Sequence, residues 1–534
     1  MWRLILCVIS LVSPSLAVAQ TAAWSGYAGD SQHMANSAVA SQTLGGIRWQ
    51  TPVDLAPVYS GNDLLIHYGS PTITAANTVV VPVKTGALDG FKIEGRSGTT
   101  GALLWTQTTD YALPPHDWTP SYSPTIAPGN KVYYPGAGGT VYTRGNLDSA
   151  GATTPTQLAF FGNSTYTGSK AAYDTNVFIN TPITSDNSGN IFFGYQVKNS
   201  ALVGGLQSGL AKIDSSGNGS FVSALTLAGG DAGITNIAQN SAPAIKSDGS
   251  KLYVAVTTAD SISSHYGNGY LVSVNPATMS VLNRVDLREP AAPTTTRSTI
   301  PNSGSASPTI GPDGRVFFGT LESPVSTSKG WMHQFNADLT SAGKPGAFGW
   351  DNTPSIVPAT MVPSYTGSSS YLLMTKYNNY AGLGGDGVNK LAILDPNATQ
   401  VDSRSGQVVM KEVLTIAGVT PDAEFLANHP NAVREWCINT AVVDPLTHSI
   451  LVNSEDGKLY RWDLFTNTFT QVVTLTAGVG EAYTPTLIGP DGTVYAINNA
   501  TLFAVGVPVP EPAHVVGIAL GLLVFGRLLF RRLV

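Results

Sequence analysis

Few residues in this 534-residue chain carry the spacing that chemistry demands. Gly382, Gly384 and Gly387 match the Gly-x-Gly-x-x-Gly phosphate loop in form. Such a loop must follow a strand and open a helix, so that the helix N-terminus meets a phosphate. Here a strand pattern follows it instead, at residues 390–395, and a hairpin loop is expected. Asp214, Asn218 and Gly219 begin like a calcium loop, but its twelfth position is Leu225, where a bidentate Glu is required. A turn is expected there. Ser454, Glu455, Asp456 and Gly457 read as a hairpin rather than a metal site. There is no Gly-x-Ser-x-Gly elbow and no His-Glu-x-x-His pair, and the eight His residues show no shared metal spacing. The expectation is no catalytic set, no metal and no cofactor.

What remains is binding. Aromatic and charged residues gather in long loops: Trp118 and Tyr122 in 111–122, His265 and Tyr266 in 257–270, Tyr377 and Tyr380 in 376–389, Arg434 and Trp436 in 415–436. Aromatic faces beside polar groups suit sugar rings or extended chains, and the alternative is that they pack locally. Asp117, Glu424 and Glu435 lie in the same loops and could converge for acid–base work. Cys437 stands between Trp436 and Ile438 and reads as a buried thiol, with a reactive one as the alternative.

The elements that must position these loops are strands. Charged residues make up 12 % of the chain, and Gly (56) and Pro (34) are abundant, so strands and turns are favoured over helices. With 43 % hydrophobic residues the chain can bury a core. The formal charge of −6 argues against a nucleic-acid binder. One pattern recurs: a Ser/Thr/Ala-Pro pair, a β-branched or small pair, a turn of the Pro-Asp-Gly kind, and an aromatic-rich strand. The clearest copies run from Ser307 (SPTIGPDGRVFFG) and from Thr484 (TPTLIGPDGTVYA). Others start at Ser70, Ser123, Thr181, Ala242, Thr353 and Asn439, the last lacking its Pro. A third and a fourth strand follow in several units. Four strands in a unit of ~40–50 residues is the pattern of a propeller blade, and longer intervals need insertions. A single eight-bladed, all-β propeller over residues 20–506 is expected. The last unit supplies only three strands, and one around Trp49 is left over. It is expected to complete the final blade and latch the ring; a free N-terminal arm is the alternative.

The two ends read as addresses. Arg3, an apolar stretch at 4–12 and the Ala17-x-Ala19 cleavage site form a secretory signal over residues 1–19. Cys7 leaves with it, so no internal disulfide is possible. The C-terminus, residues 507–534, carries Pro510-Glu511-Pro512, an apolar stretch expected to span the membrane as a helix over 514–530, and Arg531-Arg532. This tail resembles the PEP-CTERM sorting domain of Gram-negative bacteria; an ordinary C-terminal anchor is the alternative. The resemblance implies an exosortase-type processing partner, an inner-membrane-anchored precursor and a mature protein at the cell surface or outside the cell. Arg531 and Arg532 then stay cytoplasmic under the positive-inside rule.

The repeats resemble the PQQ-like, quinoprotein alcohol dehydrogenase-like propeller. The likeness lies in Gly-x-Val-Tyr/Phe strands, a following Asp or Asn and an aromatic fourth strand, and in the opening around Trp24, Asp30 and Trp49. A true quinone dehydrogenase of that family would imply adjacent cysteines over the cofactor and calcium beside it. No Cys-Cys pair and no Cys-x-x-Cys-His motif exists here. The expected function is a surface or extracellular-matrix binding or structural protein associated with exopolysaccharide. The alternatives are a propeller enzyme acting on polysaccharide, a quinone-dependent oxidoreductase, and a protein–protein scaffold.

Overall fold

The computed structural model describes residues 23–508 except 65, 117, 119–121, 261–263 and 303. Ala17, Ala19, Pro510, Glu511, Pro512, Arg531, Arg532, the 514–530 helix and Asp117 lie outside the described residues. Among the described residues no helix is long and apolar enough to cross a membrane.

Among the described residues eight antiparallel blade sheets of three to five strands follow one another along the chain, with two two-stranded ribbons besides. Blade 1 is Thr72–Ile73, Thr78–Lys84, Phe91–Ser97 and Leu103–Thr109. Blades 2 to 7 begin at Thr125–Ala127, Val177–Ile179, Asn236–Ile237, Thr309–Ile310, Ser355–Pro358 and Val442–Asp444. Second strands such as Thr78–Lys84, Leu252–Thr257 and Val494–Asn498 are buried throughout, because each lies between two neighbouring blades. They read as unbroken apolar runs for that reason. Outer strands alternate, as Thr468–Thr474 does, because one face meets water. The apolar clusters therefore fall between blades, such as the one joining Ile393 of blade 6 to Tyr460 and Trp462 of blade 7.

The Pro-Asp-Gly copies build one turn. The amide of Gly314 donates to the Gly311 carbonyl at 2.9 Å, and that of Gly492 to Gly489 at 2.9 Å. Both glycines sit at positive φ, 83° and 80°, where a side chain would be strained. Asp313 and Asp491 each accept the amide two residues on.

Blade 8 closes as the leftover strand requires. Ile47–Pro52 pairs with Thr501–Val505, with Trp49 opposite Ala504. The Trp49 indole N–H donates to the Gly98 carbonyl of blade 1 at 2.8 Å. A Cβ on Gly101, at φ 74°, would lie 2.7 Å from that indole, so glycine leaves the space the latch needs. Blade 5 departs from the expected four strands. It has three, and residues 341–346 contribute only the bridges Met332–Gly346 and Phe335–Ser341. The run SAGKPG contains Pro345, which lacks a donor, and two glycines, so no regular strand forms. The longest repeat interval is filled by the extended hairpin Lys390–Val401 and Val408–Ala417 with the loop after it.

The segment before the latch circles one end of the ring. Trp24 bridges Ile73 of blade 1, and the carbonyls of Ser25, Ser31, Gln32, Met34 and Ala35 accept amides of Ile126, Ile245, Ile310, Ile356 and Val443. One short belt thus binds the innermost strands of blades 1, 2, 4, 5, 6 and 7. Gln42 then takes the Gly492 carbonyl of blade 8.

Candidate functional site

The opposite end of the ring opens into a cavity of about 530 Å³. Loops between strands and residues just ahead of the innermost strands wall it. Asp351, Cys437 and Tyr483 stand one or two positions before the repeat starts Thr353, Asn439 and Thr484, so ring closure turns them toward the axis. The long loops add Trp118, Tyr380, Asp422, Glu424, Phe425, Arg434 and Glu435. Glu455 comes from the turn between Ser449–Asn453 and Lys458–Asp463.

Belt and cavity meet at a buried polar layer on the axis. Asn439 Nδ2 donates to the Ser305 hydroxyl at 2.7 Å, and the Tyr27 hydroxyl of the belt donates to Asn439 Oδ1. Ser305 donates from its amide, at 2.6 Å, and its hydroxyl to Asp351 Oδ1. The other Asp351 oxygen lies 3.6 Å from His67 Nε2. Burial pushes the Asp351 carboxyl up, but the facing His67, the charge of Lys376 and the Ser305 hydroxyl outweigh it and hold the group at about 2. His67 packs against Tyr483 and Trp118, with ring centroids 4.9 Å and 5.6 Å away.

On the blade 7 side Glu435, Cys437 and Glu455 place their polar atoms within 4.8 Å of one another. Glu455 accepts from Arg434 Nε at 2.9 Å and from the Cys437 thiol at 3.0 Å. Burial, and then the charge of Glu455, push the half-buried Glu435 carboxyl up to about 8. It is therefore mostly protonated at neutral pH. Burial and the two glutamates hold the Cys437 thiol well above its usual range. A metal needs the thiolate, and Arg434 already supplies the positive charge a cation would bring, so this trio is a poor metal centre.

The structure divides the sequence-predicted residues. Trp118, Tyr380 and Arg434 line the cavity, as do Glu424 and Glu435. Tyr122 belongs to the core instead, stacked on Phe91 at 4.7 Å, because it sits directly ahead of the innermost strand of blade 2. Trp436 points away from the cavity into the blade 6–7 interface, against Tyr460 and Phe469. Tyr377 is buried, donating to Asp402 at 2.6 Å under the ammonium groups of Lys329 and Lys390. Tyr266 is 58 % exposed in a short ribbon with Ile300–Pro301. His67, Asp351 and Tyr483 were not singled out by the sequence, and Glu455 was read only as part of a hairpin; position just before a repeat start was a usable signal for Asp351 and Tyr483. The Gly382–Gly387 segment is a loop leading into Lys390–Val401, and Asp214 caps a hairpin turn through the amides of Ser216 and Asn218.

No protein-family model matches the sequence, and no curated protein matches it. Solved structures do. The chain is similar to quinohemoprotein alcohol dehydrogenase from Comamonas testosteroni, 11 % identical over 92 % of this chain and 81 % of that one, with a TM-score of 0.54. It is also similar to a europium-containing methanol dehydrogenase, 10 % identical over 88 % of this chain and 89 % of that one, with a TM-score of 0.50. The fold is the eight-bladed propeller of the quinoprotein alcohol dehydrogenases. At such identities the likeness extends to fold alone, and function must be argued from the site.

Proposed function

We propose that this is an exported glycan-binding protein of the cell surface or extracellular matrix, with its ligand in the open end of the ring. One observation carries the reading. The N-terminal belt fills one end of the channel, while the other is a 530 Å³ cavity walled by aromatic rings and hydrogen-bonding side chains. Trp118, Trp350, Tyr380 and Tyr483 offer faces for the C–H surface of sugar rings, and Asp63, Asp422 and Glu424 accept from hydroxyls. The volume lies within the ~300–1,000 Å³ typical of organic-ligand sites. The address comes from the sequence: the 1–19 signal and the PEP-CTERM-like tail imply export, an exosortase-type partner and a precursor held in the inner membrane. Co-sedimentation with the producer's own polysaccharide, and a glycan array, test the reading. Binding that falls at least about tenfold in Trp118→Ala supports it; binding no stronger than that of an unrelated propeller removes it.

Quinone chemistry does not fit these residues. Cys437 is the only cysteine among the described residues, so the adjacent pair implied for a quinone dehydrogenase has no counterpart. The carboxyl-rich wall would also disfavour an anionic cofactor.

A second reading is favoured by Glu435 and Glu455. Two adjacent carboxyls whose environments push the proton affinity of one, Glu435, well above the usual range are the arrangement of a general acid and its partner in sugar-bond cleavage. Release of reducing ends from a bound glycan, lost in Glu435→Gln, would establish it.

A further inference from the structure

The walls of the funnel are unbalanced in charge. Six carboxyl groups line it, and the described lining contains a single Lys or Arg, Arg434, whose Nε is already committed to Glu455 at 2.9 Å. Lys376 is buried, its ammonium 5.9 Å from the rings of Phe348 and Tyr483, and its charge acts on Asp351 and Glu435, so two cations face six carboxyl groups. An anionic sugar would meet repulsion from this wall. A neutral one would leave the surplus of carboxyls over Arg434 and Lys376 uncompensated in a partly dehydrated cleft.

A second observation is independent of that count. His67 is 3 % exposed and clamped between the wall residues Trp118 and Tyr483, and neither of its ring nitrogens is hydrogen-bonded. Its Nε2 is directed at the wall carboxylate of Asp351, 3.6 Å away, too long for a direct bond. Buried polar groups in native proteins are nearly always satisfied. A ligand hydroxyl bound at Asp351 would supply the missing contact.

We propose, resting on the glycan reading above, that the funnel selects a sugar bearing a free amine: its ammonium group sits against the carboxyls of Glu435, Asp422 and Glu424, and its ring lies on the aromatic wall. Both halves of the wall then have work. The carboxylates neutralise the ammonium group, and the faces of Trp118 and Tyr380 attract it further while covering the sugar ring. A bare divalent cation would use neither the rings nor the volume. The proton on Glu435 leaves when the ammonium group arrives, so binding is accompanied by proton release.

The test compares two hexamers of one shape on the full secreted body by titration calorimetry at about pH 6, where glucosamine amines are largely charged. The probes are the glucosamine hexamer and the N-acetylglucosamine hexamer, with spermidine as an amine lacking sugar. The expected result is at least about tenfold tighter binding of the glucosamine hexamer, shrinking as salt rises. Heats that vary with the ionisation enthalpy of the buffer would report the released proton. Glu435→Gln, and separately Asp422→Asn, should cut the preference for the glucosamine over the acetylated hexamer to about threefold or less. A parent-like circular dichroism spectrum and a cooperative melt show that each variant is folded. Equal or tighter binding of the acetylated hexamer overturns amine selection but leaves glycan binding standing. Spermidine binding as tightly as the glucosamine hexamer overturns the sugar requirement. Absence of binding by both hexamers and by the producer's polysaccharide brings down the glycan reading itself.

Discussion

The two ends of the central channel are built by opposite rules. At the belt end, residues 24–45 spend their backbone groups on the innermost strands of six blades and on the blade 8 turn, and burial pushes the Asp30 carboxyl up. His33 is pushed down to about 4 by burial, its Nδ1 on the Pro308 carbonyl at 2.7 Å. At the funnel end, carboxyls crowd together and His67 lacks a hydrogen-bond partner. Backbone pairing to six blades stabilises the belt end, although Trp24 Nε1 and His33 Nε2 there also lack a partner, whereas the crowded carboxyls of the funnel cost stability. The N-terminal segment is thus the ring's fastener, and the funnel is where the ring holds crowded carboxyls at a cost in stability.

Breaking the fastener should have the largest effect. Trp49→Ala removes an indole that lies on Tyr495 of blade 8 and bonds Gly98 of blade 1. The expected loss is about 3–5 kcal/mol, read as a fall in denaturant midpoint. Trp118→Ala, the same substitution in a half-buried funnel position, should cost no more than about 1 kcal/mol and act on ligand affinity instead. Equal destabilisation by the two would erase the distinction between the ends.

Next comes the acid pair. Glu435 has a folded pKa raised to about 8, above the ~4.3 of an unfolded chain. The folded state therefore holds the extra proton between those values, and stability from this group is full below about pH 4 and falls as pH rises toward 8. Glu435→Gln should flatten that decline. Its gain in stability should be larger at pH 8 than at pH 5, by about 1–3 kcal/mol. Thermal melts of both proteins at the two pH values decide it; parallel profiles would show that Glu435 ionises freely. A smaller effect is expected at the axis. Tyr27→Phe removes one hydroxyl that reaches Ser305, Thr353 and Asn439, for a loss of about 1–2 kcal/mol with no change in ligand binding.

The ring was legible in the sequence because a blade is a local object. Its strands are neighbours in the chain, and the Pro-Asp-Gly turns at 312–314 and 490–492 mark the same corner twice. The latch was legible by subtraction, since the blade after Thr484 lacked a strand that Trp49 could supply. The belt was not, because it follows no helix or strand period and holds the ring through backbone carbonyls, which carry no side-chain signature. The funnel was half visible. Loop residues such as Trp118, Tyr380 and Glu435 stood out by composition. Asp351, Glu455 and Tyr483 did not, because only closure of the circle brings residues from blades 6, 7 and 8 against His67 near blade 1. Glu455 shows how a correct turn assignment can hide a site: its segment is a hairpin, and its carboxyl still faces the funnel. Tyr122 and Trp436 mislead for the converse reason. They lie next to wall positions in sequence, and their rings enter the packing between blades.

The smallest expected effect is the sharpest check on where the ligand lies. Tyr266 has what a sugar platform needs in isolation: an aromatic ring, 58 % exposed, in a long loop. Its ribbon with Ile300–Pro301 stands outside the wall that Trp118, Tyr380 and Tyr483 form. If exposure and aromaticity alone made the site, Tyr266→Ala and Trp118→Ala would weaken binding alike. If the convergence of carboxyls and rings at the funnel makes it, Tyr266→Ala should leave affinity and stability unchanged, the latter within about 0.5 kcal/mol. Paired titrations of the two variants with one glycan measure the difference, and a loss in Tyr266→Ala would move the binding surface out of the funnel to the rim of blade 4.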